Sequence, residues 1–299
     1  MVDQLQHGIT IFLGDSHVSA DQLDATLSQM LGDQPPLDFV HFVGYQQVHA
    51  VRVALLQEGS LLRDRLTALL GDRPVRFFDF DIVEGGHRCT SIDGDPMADS
   101  AAQLAAEQRF SLMEVFRLAG GEERAPMGTH YAKTSDSHAD RFLRVSNVVE
   151  DGQHVALLAF WLLPFLWKLD VRHVAVDTSN IYAVVFKAIQ EVAARGGLSD
   201  HPPQVWSHHS HEGIDRIPEH ILGDAVFVVS ASTSNNLVRK LKARNVSPRR
   251  VRTLFSLAPA TSNADLTGHV AVCDLLEVKR GATTLGFEPI ANHAALSCR

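Results

Sequence analysis

The stretch Asp224–Asn245, DAVFVVSASTSNNLVRKLKARN, decides the fold. Its apolar run Ala225 to Val229 has the length and β-branched content of a strand buried on both faces, as in a parallel sheet. Ser230 to Asn236 follows without a charge, and Leu237 to Arg244 reads as a helix. A helix start leaves backbone N–H groups unpaired and carries the positive end of the macrodipole. Ser230, Ser232, Thr233, Ser234, Asn235 and Asn236 are therefore candidate ligands for an anionic oxygen cluster. The same residue types are the preferred N-caps, so the stretch equally describes a capped helix that binds nothing.

The device occurs a second time upstream. His173 to Val176 reads as a short strand, Asp177 to Asn180 as a small polar loop, and the following AVVFKAIQEVAA as a helix. Two such loops at the carboxyl ends of neighbouring parallel strands would face one crevice, where open α/β sheets place their ligands. Thr178, Ser179 and Asn180 join the candidate phosphate ligands on that ground.

Further upstream, strands at Ile9–Leu13, Phe39–Val43 and Val75–Ile82 alternate with helices after Asp15, at Val48–Leu56 and at Leu61–Leu70. This βα order predicts a parallel or mixed sheet with helices against it. Glu84 to Asp99 breaks the pattern with glycines, a proline and aspartates, and is a candidate linker or active-site loop. Asp93, Gly94 and Asp95 lack the ligand spacing and closing Glu of a calcium loop. Asp15 and Ser16 are explained by a helix N-cap as well as by a nucleophile loop, and no partner histidine is assignable. Ser100 to Ala119 reads as a helix ended by Gly120 and Gly121. Later, Val155–Trp167 reads as an apolar helix carrying Pro164, and Val251–Leu257 and His269–Leu275 as strands that complete a sheet.

Composition narrows the function classes. At 299 residues with 45% hydrophobic content the chain has enough apolar mass for one large domain or two. No run reaches the roughly 18 to 20 apolar residues that span a bilayer, and the N-terminus lacks a basic start and apolar core, so no membrane segment is expected and a cytoplasmic location is. Three widely spaced cysteines give neither a disulfide framework nor a thiolate metal site, which fits a reducing compartment. A net charge of −8 argues against a general nucleic-acid surface. The basic run from Arg239 to Arg252 is read as a solvated helix face and strand edge.

The ordered set from Gly128 to about Val251 resembles the type I phosphoribosyltransferases, in their orotate phosphoribosyltransferase-like branch. Lys133 to Phe142, KTSDSHADRF, looks like the hood segment that precedes that fold, and makes Lys133, His138 and Arg141 candidate substrate contacts. The loop at Asp177 is similar to the pyrophosphate-binding loop. Val205 to His220 takes the place of a strand and flexible catalytic loop, and Ser230 to Asn236 that of the loop binding phosphoribosyl pyrophosphate (PRPP). The family places two adjacent acidic residues after that last strand to hold the ribose hydroxyls; this chain has Ser230 and Ala231. The resemblance implies a mostly parallel α/β sheet flanked by helices at 126–299, after a smaller α/β module at 1–125. It further implies PRPP or a phosphoribosyl nucleotide as ligand, with Mg2+ as a possible cofactor and a homodimer or other protein partner possible. Glycosidic-bond transfer or cleavage is one implied role. A disabled nucleotide sensor or partner subunit, as in bacterial conflict systems, is the other.

His208, His209, His211, Glu212 and His220 cluster between the strand at Val205 and the one at Ala225. An imidazole there can donate a proton near neutral pH, His209 and His211 can share one face of a strand as two zinc ligands, or the segment can be an ordinary polar loop. For transfer chemistry, Asp177, His209, His211 and Glu212 are the candidate catalytic groups.

Overall fold

The computed structural model describes residues 8–14, 20–32, 36–45, 47–132, 138–139, 141–168, 172–198, 201–258, 265–276 and 297–298. They form two compact units that divide between Glu107 and Gln108. No helix among the described residues is long and apolar enough to cross a membrane.

The first unit comprises β1 (Gly8–Leu13), α1 (Ala20–Leu31), β2 (Phe39–Gly44), α2 (Gln47–Leu56), α3 (Leu61–Leu70), β3 (Val75–Asp81), β4 (Gly86–Thr90) and the start of α4 (Ser100–Leu118). Strands β1, β2 and β3 are parallel and β4 closes the sheet antiparallel. Strand alternation sends Ile11, Val40, Phe42 and Phe77 to one face, where they meet the leucine stripe Leu62, Leu66, Leu69 and Leu70 of α3. Ser60 caps α3 by accepting from the Arg63 N–H at 3.2 Å. Thr10, His41 and Arg76 alternate to the opposite side. There the Glu107 carboxylate accepts from Thr10 Oγ1 at 2.8 Å and lies 2.5 Å from His41 Nδ1, whose Nε2 is 3.3 Å from Arg76 Nη1. The segment 84–99, expected as a linker or active-site loop, instead holds β4 and a bridge from Thr90 to Pro96.

The second unit continues with β5 (Glu122–Arg124), β6 (Thr129–Ala132), β7 (His138–Ala139), β8 (Arg141–Leu143), α5 (Val145–Val148) and α6 (Gly152–Leu166). Then follow β9 (His173–Val176), α7 (Tyr182–Ala194), β10 (Gln204–Ser207), α8 (Ser210–Ile214), α9 (Glu219–Gly223), β11 (Ala225–Ser232), α10 (Asn236–Ala243), β12 (Val251–Ser256) and β13 (Val270–Asp274). Its main sheet has the order β10-β9-β11-β12-β13, all parallel. The unit begins earlier than the expected boundary at 125/126 because the later part of α4 packs on this sheet. Gln108 Nε2 donates to the Val272 carbonyl at 2.9 Å, and Phe116 lies 4.7 Å from the Phe255 ring.

Central strand β11 is apolar on both sides because both are covered. Ala225, Phe227 and Val229 share a cluster with Ile214 of α8, Leu222 of α9 and Leu237, Val238 and Leu241 of α10. Val226 and Val228 alternate to the other face and are equally buried. On that face of β12, Arg252 lies 4.4 Å over the Phe165 ring of α6. Helices thus flank a mostly parallel sheet on both sides, as expected for an α/β fold.

The basic run is not a free solvated face. Arg244 donates to the carbonyls of Ile214 and Ile217 past the end of α8, and Arg250 to those of Leu222 and Gly223 at the end of α9. Lys240 pairs with Asp215 at 2.7 Å. These cations satisfy orphan carbonyls at helix ends, where the macrodipole is negative.

Replacing Phe227 with Ala removes a fully buried ring from between the helices and the sheet. Urea unfolding should show a loss of about 3 to 5 kcal/mol. A loss below about 1 kcal/mol would contradict two-sided burial of β11.

Candidate functional site

The two turns meet as neighbours. Strands β9 and β11 pair in parallel, with Val176 opposite Val228, so the turn at Asp177 and the turn after β11 both leave from carboxyl ends of adjacent strands. The strand β11 runs on to Ser232, further than the apolar run indicates, because Ala231 and Ser232 continue the ladder to Phe255 and Ser256 of β12. Ser230 and Ser232 are therefore strand residues, and the turn proper is Thr233 to Asn235.

Its shape is set from within. Ser232 Oγ accepts from the Asn235 N–H at 2.8 Å and the Ser234 N–H at 3.4 Å, while Arg239 donates to the Ser234 carbonyl at 2.6 Å. Asn235 is fully buried and takes a left-handed conformation with φ 57°, one that Asn adopts more readily than most residues. No side chain caps α10, so its first amides are left to other partners. Helices α3 and α6, by contrast, are capped by Ser60 and Asp151. Across the crevice Thr178 Oγ1 accepts from the Asn180 N–H at 3.4 Å as Ser179–Ile181 makes a short 3-10 turn into α7. Ser179 and Asn180 are exposed.

Asp177 joins the two turns. Its carboxylate accepts from Ser230 N–H and Ser230 Oγ, each at 2.8 Å, and the nearby backbone N–H groups of Asp177 itself and Thr178 also favour its charged form. No charged side chain is among the groups that set its acidity. Although the residue as a whole is only half-buried, desolvation of the carboxyl outweighs these four donors and pushes its pKa up to about 6. The carboxylate, with one oxygen on the Ser230 amide and the other on its hydroxyl, serves as a strand-to-strand tie. It is poorly placed to bind a metal, and Ser230 and Ala231 supply no carboxylate, so the crevice does not fit a magnesium ion held directly by protein carboxylates.

The histidine segment follows β10 at the carboxyl edge of the sheet. His208 N–H donates to the Val176 carbonyl at 2.9 Å, and its buried ring packs near Phe227. His209 is exposed in a left-handed conformation, φ 52°, with its N–H on Ser207 Oγ at 3.2 Å. Gly213 then passes so close that a Cβ would fall 1.3 Å from the His208 carbonyl oxygen, which rules out any side chain there. His209 and Glu212 line a groove of about 870 Å³ along edge strand β10, whereas Asp177 and Ser230 to Asn236 are not among its walls. The candidate catalytic residues are thus divided between two places. His220 is exposed on α9. Lys133 lies outside the described residues, as do the side chains of His138 and His211. Arg141 is buried and paired with Glu122 at 3.1 Å.

The groove brings in residues that the sequence did not single out: Phe186, Trp206, Arg216, Ile217 and Ile221. Only Phe186 had a legible signal. The core stripe of α7 takes Val184, Val185, Ala188, Ile189 and Val192, which leaves Phe186 47% exposed where a polar residue is the norm.

Neither protein-family models nor curated proteins match this sequence. Among solved structures, orotate phosphoribosyltransferase from Aeropyrum pernix aligns at a TM-score of 0.35 and 11% identity, over 55% of this chain and 94% of its own. The same enzyme from Mycobacterium tuberculosis, in complex with inorganic phosphate, aligns at 0.35 and 14% over 56% and 96%. UMP synthase of Leishmania donovani aligns at 0.39 and 12%, over 88% of this chain but 54% of its own length. At such values neither a family nor any residue role is taken from the likeness.

The tie at Asp177 has a pH signature. With its pKa raised from 3.8 to about 6, the folded chain keeps a proton that the unfolded chain has lost, so stability falls as pH rises through that window. Allowing for the residue's partial exposure, the stability of wild type relative to Asp177→Asn should fall by about 1 kcal/mol between pH 4 and pH 7. Parallel denaturation curves for the two proteins across that range would show the carboxyl to be unperturbed.

Proposed function

We propose that this chain binds a phosphorylated ribose compound, PRPP or a phosphoribosyl nucleotide, in the crevice between the Asp177 turn and the Thr233–Asn235 turn. One observation carries the reading: α10 starts without a side-chain cap at the carboxyl end of β11, beside the neighbouring turn after β9. An uncapped helix start offers amide donors and positive potential to a phosphate, and small residues let the anion come close. Ser232 holds the turn in shape from below, which leaves the amides of Asn236 and Leu237 and the Ser234 hydroxyl as the phosphate donors. The resemblance to the orotate phosphoribosyltransferase-like branch agrees in the order of these turns.

Binding without transfer is the second reading, and it has its own support. Both oxygens of the Asp177 carboxylate are engaged by Ser230, and His209 and Glu212 line the groove along β10. A nucleotide-sensing subunit needs the phosphate cradle and no acid–base group within it. Transfer or cleavage instead needs a proton donor at the leaving group, for which the imidazoles between His208 and His220 are the candidates.

Calorimetry with PRPP, ribose 5-phosphate and nucleoside monophosphates tests the crevice. At least one should bind, and Ser234→Glu, which sets a negative charge at the start of α10, should weaken it at least about tenfold. Failure of all of them at millimolar concentration overturns the reading. Chromatography of the same mixtures separates the two roles. Release of base or pyrophosphate by wild type, reduced about 100-fold or more in His209→Gln, supports transfer; intact ligand throughout supports sensing.

A further inference from the structure

The groove along β10 lies outside the crevice, and its composition is that of a ligand site. Its volume of about 870 Å³ falls in the range of small-molecule pockets. Phe186, Trp206, Ile217 and Ile221 give it apolar walls, and Phe186 is 47% exposed although it is aromatic. Glu212 and Arg216 also line it, and neither makes a side-chain hydrogen bond or ion pair with another described residue. Spaced four apart, they are close enough in sequence to pair across a helical turn, yet α8 ends at Ile214, before Arg216. Two wall residues add buried polar atoms without a hydrogen-bond partner among the described residues, Trp206 Nε1 and His173 Nδ1. An apolar slot with a carboxylate and a guanidinium at its wall, neither engaged by another described residue, suits a flat ring with polar edges. An aliphatic chain would leave every one of those groups unanswered.

We propose that this groove is a second binding site, for a planar nitrogen heterocycle. The ring's faces rest on Phe186 and Trp206, while its edge donates to Glu212 and accepts from Arg216. Offset or edge-to-face contact with two aromatic side chains supplies affinity, and the charged pair selects rings that carry both a donor and an acceptor. The exposed His209 imidazole at the groove mouth adds a further polar contact.

The probes are adenosine, uridine and nicotinamide, which carry no phosphate and so make no use of the crevice. Binding to the full chain is followed by saturation-transfer NMR and by indole fluorescence, with Trp206→Phe identifying which tryptophan reports. At least one probe should bind with a Kd on the order of 0.1 mM, the affinity ordinary for a ligand of that size. Ile221→Arg, which fills the slot, and Phe186→Ala, at an exposed position, should each weaken it about tenfold or more, with PRPP binding at the crevice unchanged. Matching thermal melts show that each variant is folded. The proposal is overturned if no probe binds at ten times that concentration, if both variants bind as wild type does, or if Ser234→Glu removes adenosine binding while the groove variants keep it. It is also overturned if only extended peptides, pairing with the free edge of β10, occupy the groove. Loss of PRPP binding alone would sink the crevice reading and leave this one standing.

Discussion

The Asp177 carboxylate holds the carboxyl ends of β9 and β11 together, and the geometry of both turns follows from that tie. Each oxygen accepts from Ser230 at 2.8 Å, one from the amide and one from the hydroxyl. With two more backbone donors from its own turn, the charge is held by dipoles rather than by a cation. The tie forces Ser230 to be extended and to present its hydroxyl to its neighbour strand. The turn that follows can begin only at Thr233, one residue past the last ladder pair. The carboxylate bears the cost of this position, and its pKa stands near 6 as a result.

Around that tie the second unit distributes its cations in an economical way. An acidic chain with a basic run between Arg239 and Arg252 invites a reading in terms of an external partner. The run instead closes helix ends, with Arg244 and Arg250 donating to carbonyls beyond α8 and at the end of α9. Short helices of this kind have no propensity to stand alone, since nucleation is costly and few hydrogen bonds repay it. Clamps on their last carbonyls, together with Ile214 and Leu222 in the core, hold them against the sheet. They in turn form one side of the groove, so a feature that looks like surface charge is a condition for the groove's shape.

The first unit shows a different use of polar residues. Thr10, His41, Arg76 and Glu107 occupy a face of the sheet opposite the aliphatic core, where they contact one another and His41 also stacks on Phe39 at 4.3 Å. Nothing in the local sequence marks them, because each appears singly in a strand or helix and the four are brought together only by strand alternation and the placement of α4. The same limitation applies to Arg141, whose short segment suggested a substrate contact and whose side chain is buried against Glu122.

The sequence by itself marked the long strands and helices, but not β4 within 84–99 or the short helices α8 and α9. Apolar runs, helical stripes and small polar breaks are local signals, and the strands at Phe39, His173, Ala225 and Val251 stand within a residue or two of where those signals place them. The sequence also made the Asp177 and Ser230–Asn236 turns candidate neighbours, and the strand order β10-β9-β11 then set them side by side. What each side chain does there was decided only by the tertiary structure. Whether Asp177 is a free carboxylate or a strand-to-strand tie depends on Ser230, far away in sequence. Whether His209 and Glu212 share a site with it depends on where the chain runs after the left-handed turn, and they line a groove whose walls do not include Asp177. Hydrogen-bond satisfaction and the sharing of a cavity are pairwise, long-range properties, and no periodicity along the chain encodes them.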